Sequence, residues 1–501
     1  MTCIRAIGLP AAAAIVAAGT AAADVTPEQV WEHWKQTSAL SSVVVSADSE
    51  VREGATLVLR GVGMNLAEGD IRMSVRFGDL RLHDRGDGTV GIEMAPEQRM
   101  TGSFSEPGIE QMEFQALLRQ DDMTTIASGS IEAMSYDMSG AGLGLVLERM
   151  SVDGEDLPLD LGMVFGAFSG VYNGLLRDGA LEQDYDFAAD TLTFTLAASD
   201  PQGDGEMSLE FETRDIAATA SGTMVQGMDF ADLPAMLRAG FAMVANYTTG
   251  PSRFGFDFTE GGEATSARGS SSSGEFNMAM DADRLEYSVA TTDFDLTVTG
   301  DEIPLPEINV TMSEYALGLL MPLGTTEEPA DFSFLARLVD LSVTDAIWGM
   351  FDPMGGLPRD PATLVIDARG KAKMLADILD PMAMAMEDEP AELHALDLDE
   401  LRLSAVGAEL TGSGAFTFDN SDLETFGGLP RPEGSLDLTL VGGNGLLDRL
   451  VEMGFVPQDQ AMGARMMMGL FGRPGEGEDT IHSTIEVTPD GAVLANGQRI
   501  Q

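Results

Sequence analysis

Apolar and polar residues alternate strictly in many separate stretches of this chain, and this alternation limits its fold more than any other feature. In one stretch Ile71, Met73 and Val75 would share one face of a strand, and Arg72 and Ser74 the other. The pattern recurs at 192–196, 207–211, 254–258, 294–298 and 436–440, and turn-forming segments lie at 84–88, 200–205, 261–262 and 489–491. We expect about twenty strands. Their one-sided faces favour antiparallel pairing.

Helical spacing of apolar residues interrupts the strands. It predicts helices over 27–37, 163–176, 231–246 with Asp229 as a possible cap, 332–341, 446–454 and 460–471. The fold class is therefore α+β and β-rich: long antiparallel sheets with several amphipathic helices packed on one face or at the ends.

The serine-rich segment 261–274 predicts a flexible loop, and the softest boundary lies there or at 324–329. Two β-rich regions follow, residues 24–260 and residues 275–501, the second with helices. The domain count stays open.

The first 23 residues have the three parts of a secretory signal peptide. A basic start ends at Arg5, an apolar run covers 6–18, and the small residues Ala21 and Ala23 precede a predicted cleavage site before Asp24. The run is shorter than the roughly 20 residues that a membrane-spanning helix needs. We therefore expect a periplasmic mature chain without a membrane span. It would also lack Cys3, the only cysteine, which excludes disulfides and thiol chemistry.

Acidic residues outnumber basic ones by 82 to 28, for a net charge of −54. Recognition of phosphates requires clustered Lys and Arg, whereas this chain has only three lysines. Nucleic acids and anionic lipid surfaces are therefore poor partners. Because the acids are dispersed along the chain, they indicate a solvated acidic surface more than an acidic binding site.

No motif predicts a catalytic, cofactor-binding or metal-binding residue. The four histidines, at positions 33, 83, 394 and 482, form no spaced pair. Segment 166–170 does not match the Gly-x-Ser-x-Gly elbow of serine hydrolases, and the glycines at 442–445 lack dinucleotide-binding spacing. Segment 200–205 resembles half of a calcium loop, but Phe211 stands where a bidentate Glu is needed. A hairpin turn is favoured there, with weak calcium binding left open.

Methionine is unusually frequent, with 31 residues, and some are grouped. Met382, Met384 and Met386 alternate with alanine, and Met466 to Met468 are consecutive. Methionine fills gaps in cores and also forms adaptable binding surfaces. Core filling is the favoured interpretation, and an apolar groove or cavity is the alternative.

The C-terminal part resembles a known family. Segments 357–362, 429–440, 445–454 and 490–498 are similar to an uncharacterised family of long secreted proteins from Gram-negative bacteria, known only as a domain of unknown function. The resemblance implies a location in the cell envelope and no assigned activity. The rhythm of strands and helices is also distantly similar to AsmA-like envelope proteins, which handle lipids.

Three functions remain open. The first is a non-enzymatic envelope protein that binds an amphiphile or an envelope protein in a sheet groove lined by Met and Phe. The second is a structural or interaction protein with a filled core and no ligand, and the third is a paired-carboxylate hydrolase. A continuous apolar groove would favour the first, a sealed core the second, and a polar cleft with paired acids the third.

Overall fold

The structure is a computed structural model that describes residues 24–68, 71–106, 108–201, 203–227, 232–387 and 389–501. The predicted signal peptide with Ala21 and Ala23, and the predicted cap Asp229, lie outside these residues. Asp24 is described and is exposed.

Six helices are present in the described part of the chain. They are α1 (Pro27–Leu40), α2 (Leu233–Arg238), α3 (Asp345–Phe351), α4 (Pro381–Met386), α5 (Gly443–Glu452) and α6 (Gln458–Phe471). A capping box between Thr26 and Gln29 begins α1. The carboxylate of Asp232 caps α2 by accepting from the Ala235 amide, and Asp380 caps α4.

Thirty strands account for most of the remaining described residues, in agreement with the prediction of a β-rich, antiparallel protein. The first fifteen are β1 (Val43–Ser46), β2 (Ser49–Glu53), β3 (Thr56–Glu68), β4 (Ile71–Asp84), β5 (Val90–Met94), β6 (Glu97–Glu106), β7 (Ile109–Asp121), β8 (Thr124–Gly129), β9 (Ala133–Gly140), β10 (Gly142–Val152), β11 (Glu155–Leu157), β12 (Leu159–Phe165), β13 (Phe168–Arg177), β14 (Ala180–Ser199) and β15 (Glu206–Val225). The others are β16 (Ala242–Thr249), β17 (Ser252–Glu260), β18 (Glu263–Ser271), β19 (Ser273–Met280), β20 (Arg284–Gly300), β21 (Ile308–Pro322), β22 (Ala330–Val343), β23 (Ala362–Met374), β24 (Ala391–Ala405), β25 (Ala408–Asp419), β26 (Arg431–Val441), β27 (Arg473–Pro474), β28 (Thr480–Val487), β29 (Val493–Ala495) and β30 (Gln498–Arg499).

The strands form one antiparallel meander in which spatial order follows chain order. From β3 to β28, each long strand, or each pair of collinear short strands, pairs with the next one along the chain. For example, β12 and β13 both pair with β14, and β16 and β17 both pair with β15. We call each such long strand, or each pair of collinear short strands, a rung. At about 4.8 Å per strand, the eighteen rungs from β3 to β28 extend over about 80 Å of sheet.

A bend crosses the rungs of the first two thirds of the sheet along one line. Several residues on this line have positive φ, which is unusual within strands: Gly61, Gly78, Asp122, Asp215, Asp293 and Asp340. Asp340 lies opposite Ser313 of the neighbouring strand, and its Oδ2 accepts a hydrogen bond of 2.9 Å from the Ser313 hydroxyl. The line divides the sheet into two sides. We call the side that contains β13 and β16 and continues to β28 the major wing, and the side that contains β12 and β17 and ends at β22 the minor wing.

The bend explains two predictions of helix that were wrong. Segment 163–176 forms the collinear strands β12 and β13, and segment 332–341 lies within β22. At a bend the alternation shifts by one residue, so groove-side positions are three apart, as in Phe165 and Phe168 or Leu338 and Leu341. That spacing resembles the i, i+3 spacing of a helix.

Three further predictions differ from the structure. The described part of the predicted helix 231–246, residues 232–246, contains only the short helix α2, which gives way to β16 after Gly240, a residue with positive φ. Segment 261–274 forms β18 and the start of β19 instead of a loop. The prediction of about twenty strands is too low, since the bends divide long strands in two.

The predictions for the helices over 27–37, 446–454 and 460–471 are confirmed as α1, α5 and α6. The predicted turns at 84–88, 261–262 and 489–491 are also present. At the fourth, the described residues lie between β14 and β15, and the Asp200 amide donates to the Gly205 carbonyl over 2.7 Å. The division into regions 24–260 and 275–501 remains a prediction.

Candidate functional site, an apolar groove

The apolar faces of the two wings point to the same side of the sheet. Phe187 in the major wing and Leu192 in the minor wing are five residues apart on β14, a spacing that would place them on opposite faces of an unbent strand. Both nevertheless pack against one cluster of buried residues formed by Phe168, Ala189 and Ile216. The bend at Asp190 and Asp215 therefore folds the sheet into a groove, with the bend line as its floor.

An uninterrupted row of apolar residues runs along the major wing, across the strands. Each residue of the row is paired in register with the next one. The row consists of Ala127, Tyr136, Tyr172, Tyr185, Ala220, Ala245, Met278, Tyr287, Leu319, Phe334, Ala368, Leu398, Gly414, Leu436, Ile485 and Ala495.

The minor wing carries an equivalent row. It consists of Leu118, Leu145, Met163, Phe194, Phe211, Phe254, Gly269, Leu296, Val310 and Val343. A Cβ on Gly269 would lie 2.2 Å from the ring of Phe254, so a larger residue there would force this ring to move. Small residues in the rows thus make room for large neighbours across the strand.

Helix α1 covers the N-terminal end of the groove. Val30 and Trp31 of this helix are buried with Tyr136 and with the major-wing residues Leu59 and Leu82. The Trp31 indole nitrogen also donates to Glu50 Oε1 over 2.7 Å.

A buried histidine fastens α1 to the sheet. His33 donates from Nδ1 to the Ile131 carbonyl, which lies between β8 and β9, over 3.0 Å. Burial lowers the pKa of His33, so that the neutral ring is favoured.

Beyond α1 the groove is open. A chain of aromatic rings, Trp34, Tyr136, Tyr172 and Tyr185, leads out of the covered part with centroid separations of 6.4, 5.7 and 4.7 Å. Tyr185 is exposed, and farther along the row Leu319 and Phe334 are exposed too, Phe334 by 40%. The row from Tyr185 to Ile485 crosses twelve rungs, or about 50 Å, and its other members are half-buried.

Helices α5 and α6 lie against the same face at the C-terminal end. A Cβ on Gly443, the first residue of α5, would lie 2.6 Å from Leu440 Cδ2, and one on Gly472 would lie 2.2 Å from Ile481 Cγ2. Leu440 and Ile481 are neighbours on the groove face. The Phe471 carbonyl, at the end of α6, accepts from the Ser483 hydroxyl over 2.7 Å.

The strand ends of the major wing that lie away from the bend line curl toward one another. Arg238 at the end of α2 and Asp377 after β23 form an ion pair of 3.8 Å. Six strands separate these connections along the sheet, a span of about 25 to 30 Å if the sheet were flat. Met236 and Leu237 of α2 are buried beside this contact.

The opposite face of the sheet is polar and carries ion pairs. Arg337 lies among Glu314, Asp367 and Glu400, at 3.8, 3.9 and 3.4 Å. Two pockets of about 560 and 470 Å³ lie on this face of the minor wing, lined mainly by charged and hydroxyl side chains such as Asp257, Glu212 and Arg253. Glu212 forms ion pairs with both Arg214 and Arg253, which lower its pKa.

The polar residues considered in the sequence do not assemble into a reactive centre. The histidines stay apart: His83 bonds to Thr56, His394 lies 3.4 Å from Glu392, and His482 bonds to Thr439. Among the described residues, no group of three His, Cys, Asp or Glu side chains could hold a metal ion. A close carboxylate pair, Glu263 and Glu302, raises the pKa of Glu263, but Glu263 is exposed next to a turn.

The groove was not predicted residue by residue; a sheet groove lined by Met and Phe was one of three hypotheses. Phe254, Phe256 and Phe258 fall on its face as the alternation indicates. The grouped methionines do not line it: Met382, Met386, Met466 and Met467 are exposed on helices. Within the described residues, no helix is long and apolar enough to cross a membrane.

A family model described as an uncharacterised protein conserved in bacteria, DUF2125, matches residues 243–500. The chain belongs to the DUF2125 family. The match begins in β16 and includes the groove from Ala245 onward, and it confirms the predicted resemblance to an uncharacterised bacterial family. No curated protein and no solved structure matches this DUF2125 protein. Its likeness to AsmA-like proteins and its location in the envelope remain predictions.

Proposed function

We propose that this DUF2125 protein is a non-enzymatic, exported protein that holds a lipid-like amphiphile in its groove. The observation that carries the proposal is the apolar row from Tyr185 to Ile485, which is exposed at Leu319 and Phe334 and lies between helices at both ends. Monomeric soluble proteins rarely expose large apolar side chains in a continuous apolar surface unless something binds there.

The dimensions suit an extended hydrocarbon chain. The hydrocarbon core of a bilayer is about 30 Å thick and holds two layers of acyl chains, so one chain spans about 15 Å. A groove whose apolar row is about 50 Å long therefore exceeds one acyl chain. Tyr185, Tyr287 and Phe334 offer flat ring surfaces against which such chains would pack.

The alternatives account for less of the structure. A ligand-free structural protein would be expected to seal its core, whereas the two buried clusters of the described residues involve α1, the first rungs and the bend near Phe168. A paired-carboxylate hydrolase needs its acids in a cleft, and the close pair Glu263 and Glu302 lies by an exposed turn.

Lipid extraction and native mass spectrometry of protein purified from the periplasm test the binding. We expect a co-purifying amphiphile, and labelling of the row around Leu319 and Phe334 when the protein is irradiated with a diazirine-bearing C16 fatty acid. Recovery of bare protein together with labelling spread over the polar face would refute the proposal. N-terminal sequencing of the same material tests export, with Asp24 expected as the first residue.

A further inference from the structure

Every tyrosine of the chain lies on the groove face of the major wing. Four of the six tyrosines belong to the major-wing row. The other two lie two and four residues from the row members Ala245 and Leu319, which places them on the same face of their strands. The six are Tyr136, Tyr172, Tyr185, Tyr247, Tyr287 and Tyr315. The minor-wing row contains phenylalanines but no tyrosine.

Most of these hydroxyls have no partner within the protein. The Tyr185 hydroxyl donates to Gln183 Oε1 over 3.1 Å. The Tyr136 hydroxyl is buried without a hydrogen bond, although the Trp34 indole lies beside it. Among the described residues, none bonds to the hydroxyls of Tyr172, Tyr247, Tyr287 and Tyr315. A tyrosine hydroxyl in apolar surroundings normally has a partner, because without one phenylalanine would pack equally well.

These hydroxyls are neutral donors on a face without charge. Burial raises the pKa of Tyr172 to about 12 and also raises the pKa of Tyr185 and of Tyr247, so all three keep their protons at neutral pH. In the major wing from β13 to β22, the positions that share this face carry no charged residue. A phosphate would lie on it without a counter-charge, whereas a carbonyl oxygen needs only a hydrogen bond.

The tyrosines are confined to one part of the row. Beyond β21 the row carries no hydroxyl and consists of Phe334, Ala368, Leu398, Gly414, Leu436, Ile485 and Ala495. The groove therefore has one part that can bond to polar atoms and another that can contact only hydrocarbon.

We propose that the amphiphile in the groove is an acyl lipid whose ester or amide carbonyls accept hydrogen bonds from these tyrosines. Its linkage region lies between Tyr172 and Tyr315, and its hydrocarbon chains extend from there along the row toward α6. The inference rests on the proposed function and adds to it the chemistry of the lipid and its direction in the groove.

Dioctanoyl phosphatidylcholine and its dioctyl ether analogue test the inference, because they differ only in the carbonyl oxygens of their chains. Calorimetric titrations use the protein purified from the periplasm and freed of bound lipid, with each lipid below its micelle concentration. The ester lipid should bind at least about fivefold more tightly, since the ether cannot accept the hydrogen bonds that the carbonyls accept.

The triple variant Tyr185→Phe, Tyr247→Phe, Tyr287→Phe removes three hydroxyls and keeps the rings. It should bind the ester lipid as weakly as the ether lipid, and its affinity for the ether lipid should be unchanged. The control variant Ser221→Ala, Thr248→Val removes two exposed hydroxyls from the polar face of β15 and β16 and should keep the preference for the ester. Circular dichroism verifies that each variant is folded.

Equal affinity of the unchanged protein for the two lipids would overturn the inference and leave the amphiphile site in place. A preference for the ester that persists in the triple variant would overturn it too, since other groups would then bind the carbonyls. If neither lipid binds, the proposed function fails together with the inference.

Discussion

The rings of Phe165 and Phe187 lie on opposite sides of the bend line, and their centroids are 5.5 Å apart at an interplanar angle of 82°. This edge-to-face contact joins the minor wing to the major wing at the floor of the groove. It also shows that the two wings fold toward their apolar sides. The groove therefore depends on the bend as much as on the composition of the strands.

Replacing an apolar groove residue by a carboxylate should weaken amphiphile binding. Phe334→Glu introduces a charge into the row, and we expect at least a tenfold loss of retained amphiphile, equivalent to about 1.4 kcal/mol. Val244→Glu is the matched control, since both residues are 40% exposed but Val244 faces the polar side of the same wing. Mass spectrometry of extracted lipid measures both; equal losses would argue against binding in the groove.

The stability of the protein should decrease in mild acid through His33. Burial lowers the pKa of His33, whereas an unfolded histidine titrates near pH 6.5. Below that pH the unfolded chain binds more protons than the folded one, so the free energy of unfolding falls as the pH falls, until the folded pKa is reached. Urea titrations at pH 7.5 and 5.5 measure the difference.

The His33→Gln variant should show a smaller change between these two pH values than the unchanged protein. His83 is exposed, and His83→Gln serves as the control that keeps the full change. If both variants behave alike, His33 does not carry the effect.

Asp293 should tolerate glycine but not valine. Its φ of 49° lies in the left-handed region, its side chain is exposed, and it stands in the middle of β20. A β-branched residue is strained there, so Asp293→Val should lower the free energy of unfolding by about 1 to 2 kcal/mol. Asp293→Gly should leave it nearly unchanged. Thermal denaturation of the two variants compares them directly, and equal stability would remove the case for strain at the bend.

Arg337 should matter most at low ionic strength. It neutralises three carboxylates on the polar face, so Arg337→Met should cost about 1 kcal/mol in dilute buffer and less in 0.5 M salt. Lys371→Met, which removes the single exposed pair with Asp331, is the control and should cost no more than a few tenths of a kcal/mol. A salt-independent loss for Arg337→Met would indicate lost packing instead.

Alternation was enough to predict many of the strands and their antiparallel pairing, because a half-buried strand requires it. The helices α1, α5 and α6 were equally accessible, since each has apolar residues at helical spacing. Two features escaped sequence reasoning for identifiable reasons. A bend such as that at Asp340 gives apolar residues a spacing that resembles that of a helix. Small residues such as Gly269 interrupt the apolar alternation of a strand, because the neighbouring strand supplies the large ring at that position.

The groove itself could be anticipated only in outline. Alternation shows that one face is apolar, but it does not show whether another layer covers that face. The in-register pairing of Tyr287, Leu319 and Phe334 follows from hairpin geometry. Their exposure depends on which elements pack over the sheet, and that is a property of tertiary structure.

The agreement between chain order and spatial order has a consequence for how such a protein can change. Each hairpin adds two rungs, or about 10 Å of sheet, and its strands pair only with the hairpins before and after it. Insertion or loss of one hairpin would therefore lengthen or shorten the molecule by a fixed step without altering the pairing elsewhere, as in repeat proteins. The number of hairpins therefore sets the length of the sheet, and with it the distance between α1 and α6.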